Sequence, residues 1–221
     1  MWSNPRIQIN IPSSPTVLAD DLPQAMMIWN QAIKWFESTY YPMDESYYSF
    51  ISSPNGAGTT FQAVNGQTFC STASNISVCA LFTINSDSRY ITNAYVEILA
   101  SELTTSNPAH LSLAVAALGT LIGLIQYTHC PFQDLMCSTL PSGYPSTLDL
   151  YAARILAKGN PATNVTLPTS IPYQQAPVVP VPEFHGTSLL ISFIAIFSAL
   201  ILLRPSKTKF PRKCYQNPQR V

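Results

Sequence analysis

Four cysteines offer the most chemistry in this sequence, and they fall into two close pairs, Cys70/Cys79 and Cys130/Cys137. Pairs so near in sequence suit local disulfides formed in an oxidising compartment. Zinc is the other use of four cysteines, but neither pair has the two-to-four-residue spacing of a zinc knuckle. A fifth, Cys214, stands in a basic C-terminal stretch as a free thiol or a lipidation candidate. The three histidines, His110, His129 and His185, are scattered, and no two share the spacing that puts imidazoles on successive helical turns. A substitute hydrolytic site would have to combine His110 and His129 with an acid such as Glu97, Glu102 or Asp134. That is the alternative reading, a divergent metallopeptidase with a non-standard metal site. No phosphate loop, nucleophile elbow or dinucleotide fingerprint is present. Asn75-Ile76-Ser77 and Asn164-Val165-Thr166 make Asn75 and Asn164 glycosylation candidates.

These residues need elements to hold them. Ile7, Ile9 and Ile11 alternate with polar residues, the period of a strand. Asp20 and Asp21 can cap a helix with Pro23 in its first turn, whose apolar stripe runs through Met26, Trp29, Ile33 and Phe36. Four β-rich runs follow, 48–52, 59–64, 77–84 and 90–99, separated by Pro-Asn-Gly, Asn-Gly and Asn-Ser-Asp turns. Leu111–Ile125 is apolar all round and too short for a comfortable membrane span, so it predicts a helix buried in the core. Ser146-Thr147-Leu148-Asp149 is a capping box that opens a last helix. The order is strand, helix, four strands, helix, loop, helix, and it implies an α+β domain over residues 1–159.

Residues 160–186 read differently. Pro161–Pro182 holds six prolines with Thr, Ser, Val and Gln and no apolar periodicity, which predicts an extended spacer. Thr187–Leu203 is seventeen residues without a charge, and it predicts one transmembrane helix. The tail, 204–221, carries six bases and no acid, whereas the chain up to Glu183 has eleven acids against five bases. An acidic body excludes nucleic acid as its partner. The positive-inside rule makes the tail cytoplasmic and puts the body outside the cell membrane, with the bilayer as the partner of the C-terminal helix. Met1–Asn10 has no signal-peptide pattern, so export is expected to use a segment upstream or an unconventional signal.

The order of elements, with a tryptophan-bearing first helix, a buried second helix, a methionine loop and a closing helix, resembles the catalytic domain of matrixin-like metzincin zinc proteases. The resemblance spans about Asn4–Gly159. Its most specific part is Ala-Ala-Leu-Gly-Thr-Leu-Ile-Gly-Leu-Ile-Gln at 116–126, which fits the family's H-E-x-x-H-x-x-G-x-x-H frame with Leu118-Gly119, Gly123 and Leu124 in place. Asp134-Leu135-Met136 is similar to the family's Met-turn, with Met136 as its methionine. The resemblance implies a twisted, mostly parallel mixed sheet of about five strands with three helices. It also implies that the chemistry is lost. The metal-ligand positions read Ala116, Thr120 and Gln126, and the general-base position reads Ala117, so neither a metal nor another cofactor is implied. A pseudoprotease of this kind is expected to bind a protein or peptide ligand, or to serve as a cell-envelope module.

Overall fold

A computed structural model describes residues 2–44, 48–53, 58–70, 77–87, 90–106, 109–125, 134–136, 142–158 and 165–178. Its elements are β1 (Arg6–Asn10), α1 (Thr16–Tyr40), β2 (Ser49–Ser52), β3 (Thr59–Val64), β4 (Val78–Ile84), β5 (Ile91–Leu99), α2 (His110–Leu121) and α3 (Thr147–Ala157). The fold is α+β, with a five-stranded mixed sheet ordered β2-β1-β3-β5-β4. Four strands are parallel, and β4 runs antiparallel to β5 at the edge.

One face of the sheet carries the core. Ile7, Ile9, Phe50, Phe61, Val78, Ala94, Val96 and Ile98 are buried on it, while Arg6, Gln8, Gln62 and Leu81 point the other way into solvent. Period-two alternation therefore gives the sheet one wet and one dry face, as antiparallel and mixed sheets allow. Against the dry face lie α1 and α2. Trp29 of α1 is fully buried, packs edge-on to Phe50 at 6.3 Å, and donates its indole N–H to the Val115 carbonyl of α2 at 2.8 Å. Burying side chains of this size contributes about 1.5–3 kcal/mol each, so the Trp29 contact joins sheet and both helices strongly.

Two boundaries differ from the sequence expectation. Helix α1 begins at Thr16 rather than after Asp21, because Leu18 and Leu22, both fully buried, carry the apolar stripe one turn further back. Pro23 then falls inside the helix, and Asp21, expected as a cap, is buried instead as a partner of His110. Helix α2 stops at Leu121, four residues short, because Gly123 takes a left-handed backbone (φ 100°) that ends the helix. The capping box at α3 is as expected: Ser146 Oγ accepts from the Asp149 amide at 3.1 Å, and the Asp149 carboxylate accepts from the Ser146 amide at 2.9 Å.

The largest correction concerns the spacer. Residues 165–178 lie against the body and belong to the same compact unit as the sheet. The Thr147 amide donates to the Gln174 carbonyl (2.8 Å), the Ala176 amide donates to the Pro145 carbonyl (2.9 Å), and Ile171 and Ala176 are buried. Proline-rich composition predicts an extended chain, whereas here the chain turns at 169–171, where the Ile171 amide donates to the Pro168 carbonyl (2.9 Å). What composition does not show is that such a chain can spend its backbone bonds on a neighbouring helix start. The folded body thus continues past residue 159 through this strap. Among the described residues no helix is long and apolar enough to cross a membrane; Thr187–Leu203 and the basic tail lie outside them.

Candidate functional site

The candidate site is built on α2. Its residues 114–119 and Leu121 are buried, so the helix is held on nearly all sides. Trp2 closes one end: it donates its indole N–H to the Leu121 carbonyl (3.2 Å) and packs edge-on against Phe82 of β4 at 6.4 Å. Beneath the helix sits Met136. A Cβ added at Gly119 would come within 2.7 Å of Met136 Sδ, so the absence of a side chain at 119 is what lets the turn approach.

The turn itself is fastened by Asp134, which is fully buried. One carboxylate oxygen, Oδ1, accepts from the Met136 amide (3.1 Å); the other, Oδ2, accepts from Ser146 Oγ (2.9 Å) and from the Tyr173 hydroxyl (3.1 Å). Ser146 Oγ also lies 3.2 Å from Asp149 Oδ2, so two buried carboxyl groups converge on one hydroxyl. Burial and the neighbouring Asp134 push the Asp149 carboxyl well above the usual carboxylate range. Both causes also raise the Tyr173 phenol.

Ala116, Ala117 and Thr120 lie on α2, and Gly123 lies just beyond its end. Ala116 and Ala117 are buried, and the Thr120 hydroxyl is turned onto the Ala116 carbonyl of its own helix at 3.2 Å. Two methyl groups and a hydroxyl already satisfied by backbone make no set of metal donors, so the residues present do not fit a zinc ion. Among the described residues no three His, Cys, Asp or Glu side chains gather to hold a metal. Three residues of the alternative site have other engagements. His110 Nδ1 contacts Asp21 Oδ2 at 2.6 Å, Glu97 accepts from the Phe69 amide at 2.8 Å, and Asp134 holds the turn. Burial raises the Asp21 carboxyl, and the His110 bond works against that rise. Cys70 and Cys79 form a disulfide with Cα atoms 5.7 Å apart. Asn75, Gln126, His129, Cys130, Cys137 and Asn164 lie outside the described residues.

The chain matches no protein-family model and no curated protein.

Beside α2 runs β4, an edge strand that packs on it. The Leu99 amide donates to the Ser77 carbonyl (2.9 Å), which sets the phase of the ladder: Cys79, Leu81 and Thr83 bond to β5. Val78, Ala80 and Phe82 therefore direct their backbone N–H and C=O groups outward, away from the sheet. At the opposite edge the same phase argument has a different result. The Ser49 and Ser53 amides donate to the Pro5 and Ile9 carbonyls, so Phe50 faces outward, and the Asn30 side chain of α1 takes both its groups: Asn30 Nδ2 donates to the Phe50 carbonyl and Asn30 Oδ1 accepts from the Phe50 amide, each at 2.8 Å. Asn30 occupies that edge as a neighbouring strand would. Neither Asn30 nor Tyr173 was recognisable from sequence spacing, because each acts across more than a dozen intervening residues on a partner that only the fold brings near.

Proposed function

We propose that this chain displays a catalytically inactive, matrixin-like metzincin domain on the outside of a cell membrane, where β4 captures an extended peptide or protein segment. The observation that carries the reading is the pairing of α2 with an open edge strand. The helix holds Ala116, Ala117 and Thr120 where the resemblance calls for two ligands and a base, turns sharply at Gly123, and rests on Met136. Beside it, β4 directs three residues' worth of backbone groups outward. Metzincin relatives bind peptides along a sheet edge over the active-site helix, and strand addition draws its affinity from main-chain hydrogen bonds rather than from a metal. The binding half of such a cleft can therefore outlast its chemistry. The uncharged run Thr187–Leu203 and the six bases after it support the anchor and the outward orientation.

Metal analysis of the purified full chain tests the loss of chemistry: no stoichiometric zinc is expected. A variant carrying Ala116→His, Ala117→Glu, Thr120→His and Gln126→His is expected to gain zinc affinity. Tight zinc in the unmodified chain would overturn the inactive reading, and a folded quadruple variant indifferent to zinc would overturn the resemblance. Orientation is tested by a membrane-impermeant label on intact cells, which is expected to reach the body without lysis.

A further inference from the structure

The strap 165–178 contacts the body at α3, at the Asp134–Met136 turn and at α1, where Gln174 Nε2 donates to the Tyr40 hydroxyl (2.8 Å). At α3 the contact is backbone-led: besides the two amide bonds already described, Thr147 Oγ1 donates to the Pro172 carbonyl (3.0 Å) and accepts from the Gln174 amide (3.1 Å). Gln175 forms a single antiparallel bridge with Ser146. At the turn the contact is one side chain, the Tyr173 hydroxyl on Asp134. Ile171 and Ala176 are buried and Leu167 packs partly buried against the core, while Ser170, Pro172, Gln174, Gln175, Pro177 and Val178 are exposed. Segments with few buried contacts and exposed backbone bonds open locally at far lower cost than a core strand.

That places an element of low local stability in direct contact with the turn beneath α2. Asp134 is the joint. It is fully buried, and the strap supplies one of the two hydroxyl donors to its Oδ2, while its Oδ1 fixes the Met136 amide. Met136 in turn fills the space under Gly119. Removing the Tyr173 hydroxyl leaves the buried Asp134 with one donor fewer, and a buried carboxylate short of donors reorients or draws in water.

We infer that the strap is a regulatory clasp: docked, it holds the Asp134–Met136 turn and α2 in their present arrangement, and undocked, it loosens both. The clasp is independent of the pseudoprotease reading, since it concerns how the helix is supported and not what the helix once did. A coupling of this kind needs one element with two arrangements that both ends sense, and the strap is that element.

Amide exchange on the full chain in detergent micelles tests it, with two variants. Ile171→Asp puts a charge where the strap buries its largest side chain and is expected to undock it; Tyr173→Phe removes only the hydroxyl and leaves the backbone bonds at Thr147 and Ala176. With Ile171→Asp, exchange is expected to rise at Thr147 and Ala176, and by about tenfold or more at 134–136 and 118–124, with β3 and β5 unchanged. Tyr173→Phe is expected to raise exchange severalfold at 134–136 while Ala176 stays protected. Faster exchange confined to the strap in Ile171→Asp, or no change at 134–136 in Tyr173→Phe, would overturn the clasp. Should Ile171→Asp unfold the whole body, the Tyr173→Phe comparison decides alone.

Discussion

The two edges of one sheet are treated oppositely in this molecule. At β2 the strand is four residues long, its outward groups at Phe50 are taken by Asn30, and the flanking polar residues of α1 and α3 are joined to one another. At β4 the strand is seven residues long, uncharged, free of proline, and offers the outward groups of Val78, Ala80 and Phe82. Proteins commonly guard a sheet edge with charges, prolines, bulges or cover, because an open edge pairs with whatever strand arrives. Here one edge is guarded by a side chain that mimics a strand, and among the described residues the other carries only an irregularity near its end, between Thr83 and Ile84. The contrast supports the proposal that β4 captures an extended segment.

The closed side is where substitution does most damage. Arg154 of α3 donates to the Glu37 carboxylate at 2.6 Å with both side chains almost fully buried, also contacts Asp44, and lies over the Tyr41 ring at 3.7 Å. Asp44 is further engaged by Lys158, and these two cations hold its carboxyl below the usual range, Lys158 first. Arg154→Ala would leave Glu37 a buried charge without its guanidinium, which costs about 3–5 kcal/mol. Chemical denaturation is expected to show this as the largest loss among the substitutions considered; a loss under about 1 kcal/mol would mean that the closed side is less tightly braced than its geometry indicates.

Next in size is a pH effect from Asp149. Its carboxyl is raised in the folded protein by burial and by Asp134, so the protonated form is favoured on folding. The stability it contributes is fully present below the ordinary carboxylate range, near pH 4, and is lost as pH rises through the raised folded value. The slope is at most about 1.4 kcal/mol per pH unit for one proton. Asp149→Asn supplies a neutral group of the same shape, so the variant is expected to lose less stability than the unmodified chain between pH 4 and pH 8. Parallel pH profiles for the two proteins would show that the proton is not held at this pair.

Asn30→Ala attacks the comparison itself. It uncovers the Phe50 amide and carbonyl at a part-buried edge, at a cost of about 1–3 kcal/mol, and it turns β2 into a second open edge. Sedimentation is expected to show self-association that the parent lacks at the same concentration. A variant that stays as stable and as monodisperse as the parent would mean that Asn30 guards nothing.

Much of this architecture was legible in the sequence, and the reasons are local. The strands at 49–52, 59–64, 78–84 and 91–99 lie between glycine, proline and asparagine turns, and α3 announces itself through Ser146 and Asp149, three residues apart. The relative positions of Ala116, Ala117, Thr120 and Gly123 were legible because they stand on one continuous segment, where spacing alone fixes relative position. What escaped needed tertiary partners. Asp21 has the composition of a cap and is a buried acid beside His110; Pro168, Pro172 and Pro177 have the composition of a free spacer and belong to a docked strap. The difference between the two edges was invisible for the same reason, since it depends on the phase of each ladder and on a side chain twenty residues from the strand it covers.

The finest test of the open edge changes stability least. Ala80 sits in the middle of β4 and directs its N–H outward, so proline there removes a donor that the β4–β5 ladder does not use. Ala80→Pro is expected to cost under about 1 kcal/mol of stability, because no ladder bond is lost and proline is tolerated on an edge strand whose N–H faces solvent. Against an arriving strand the same change removes one main-chain bond and places a ring in its path. Peptides selected from a displayed random library on the full chain are therefore expected to bind the variant at least about tenfold more weakly, close to the loss of a single well-formed hydrogen bond. The matching change on the closed side, Ser52→Pro, also directs its missing N–H outward and serves as the control for general disturbance of an edge. If both variants keep the selected peptides, capture does not run along β4; if both lose them, the effect belongs to the fold and not to the edge; loss with Ala80→Pro alone assigns capture to β4.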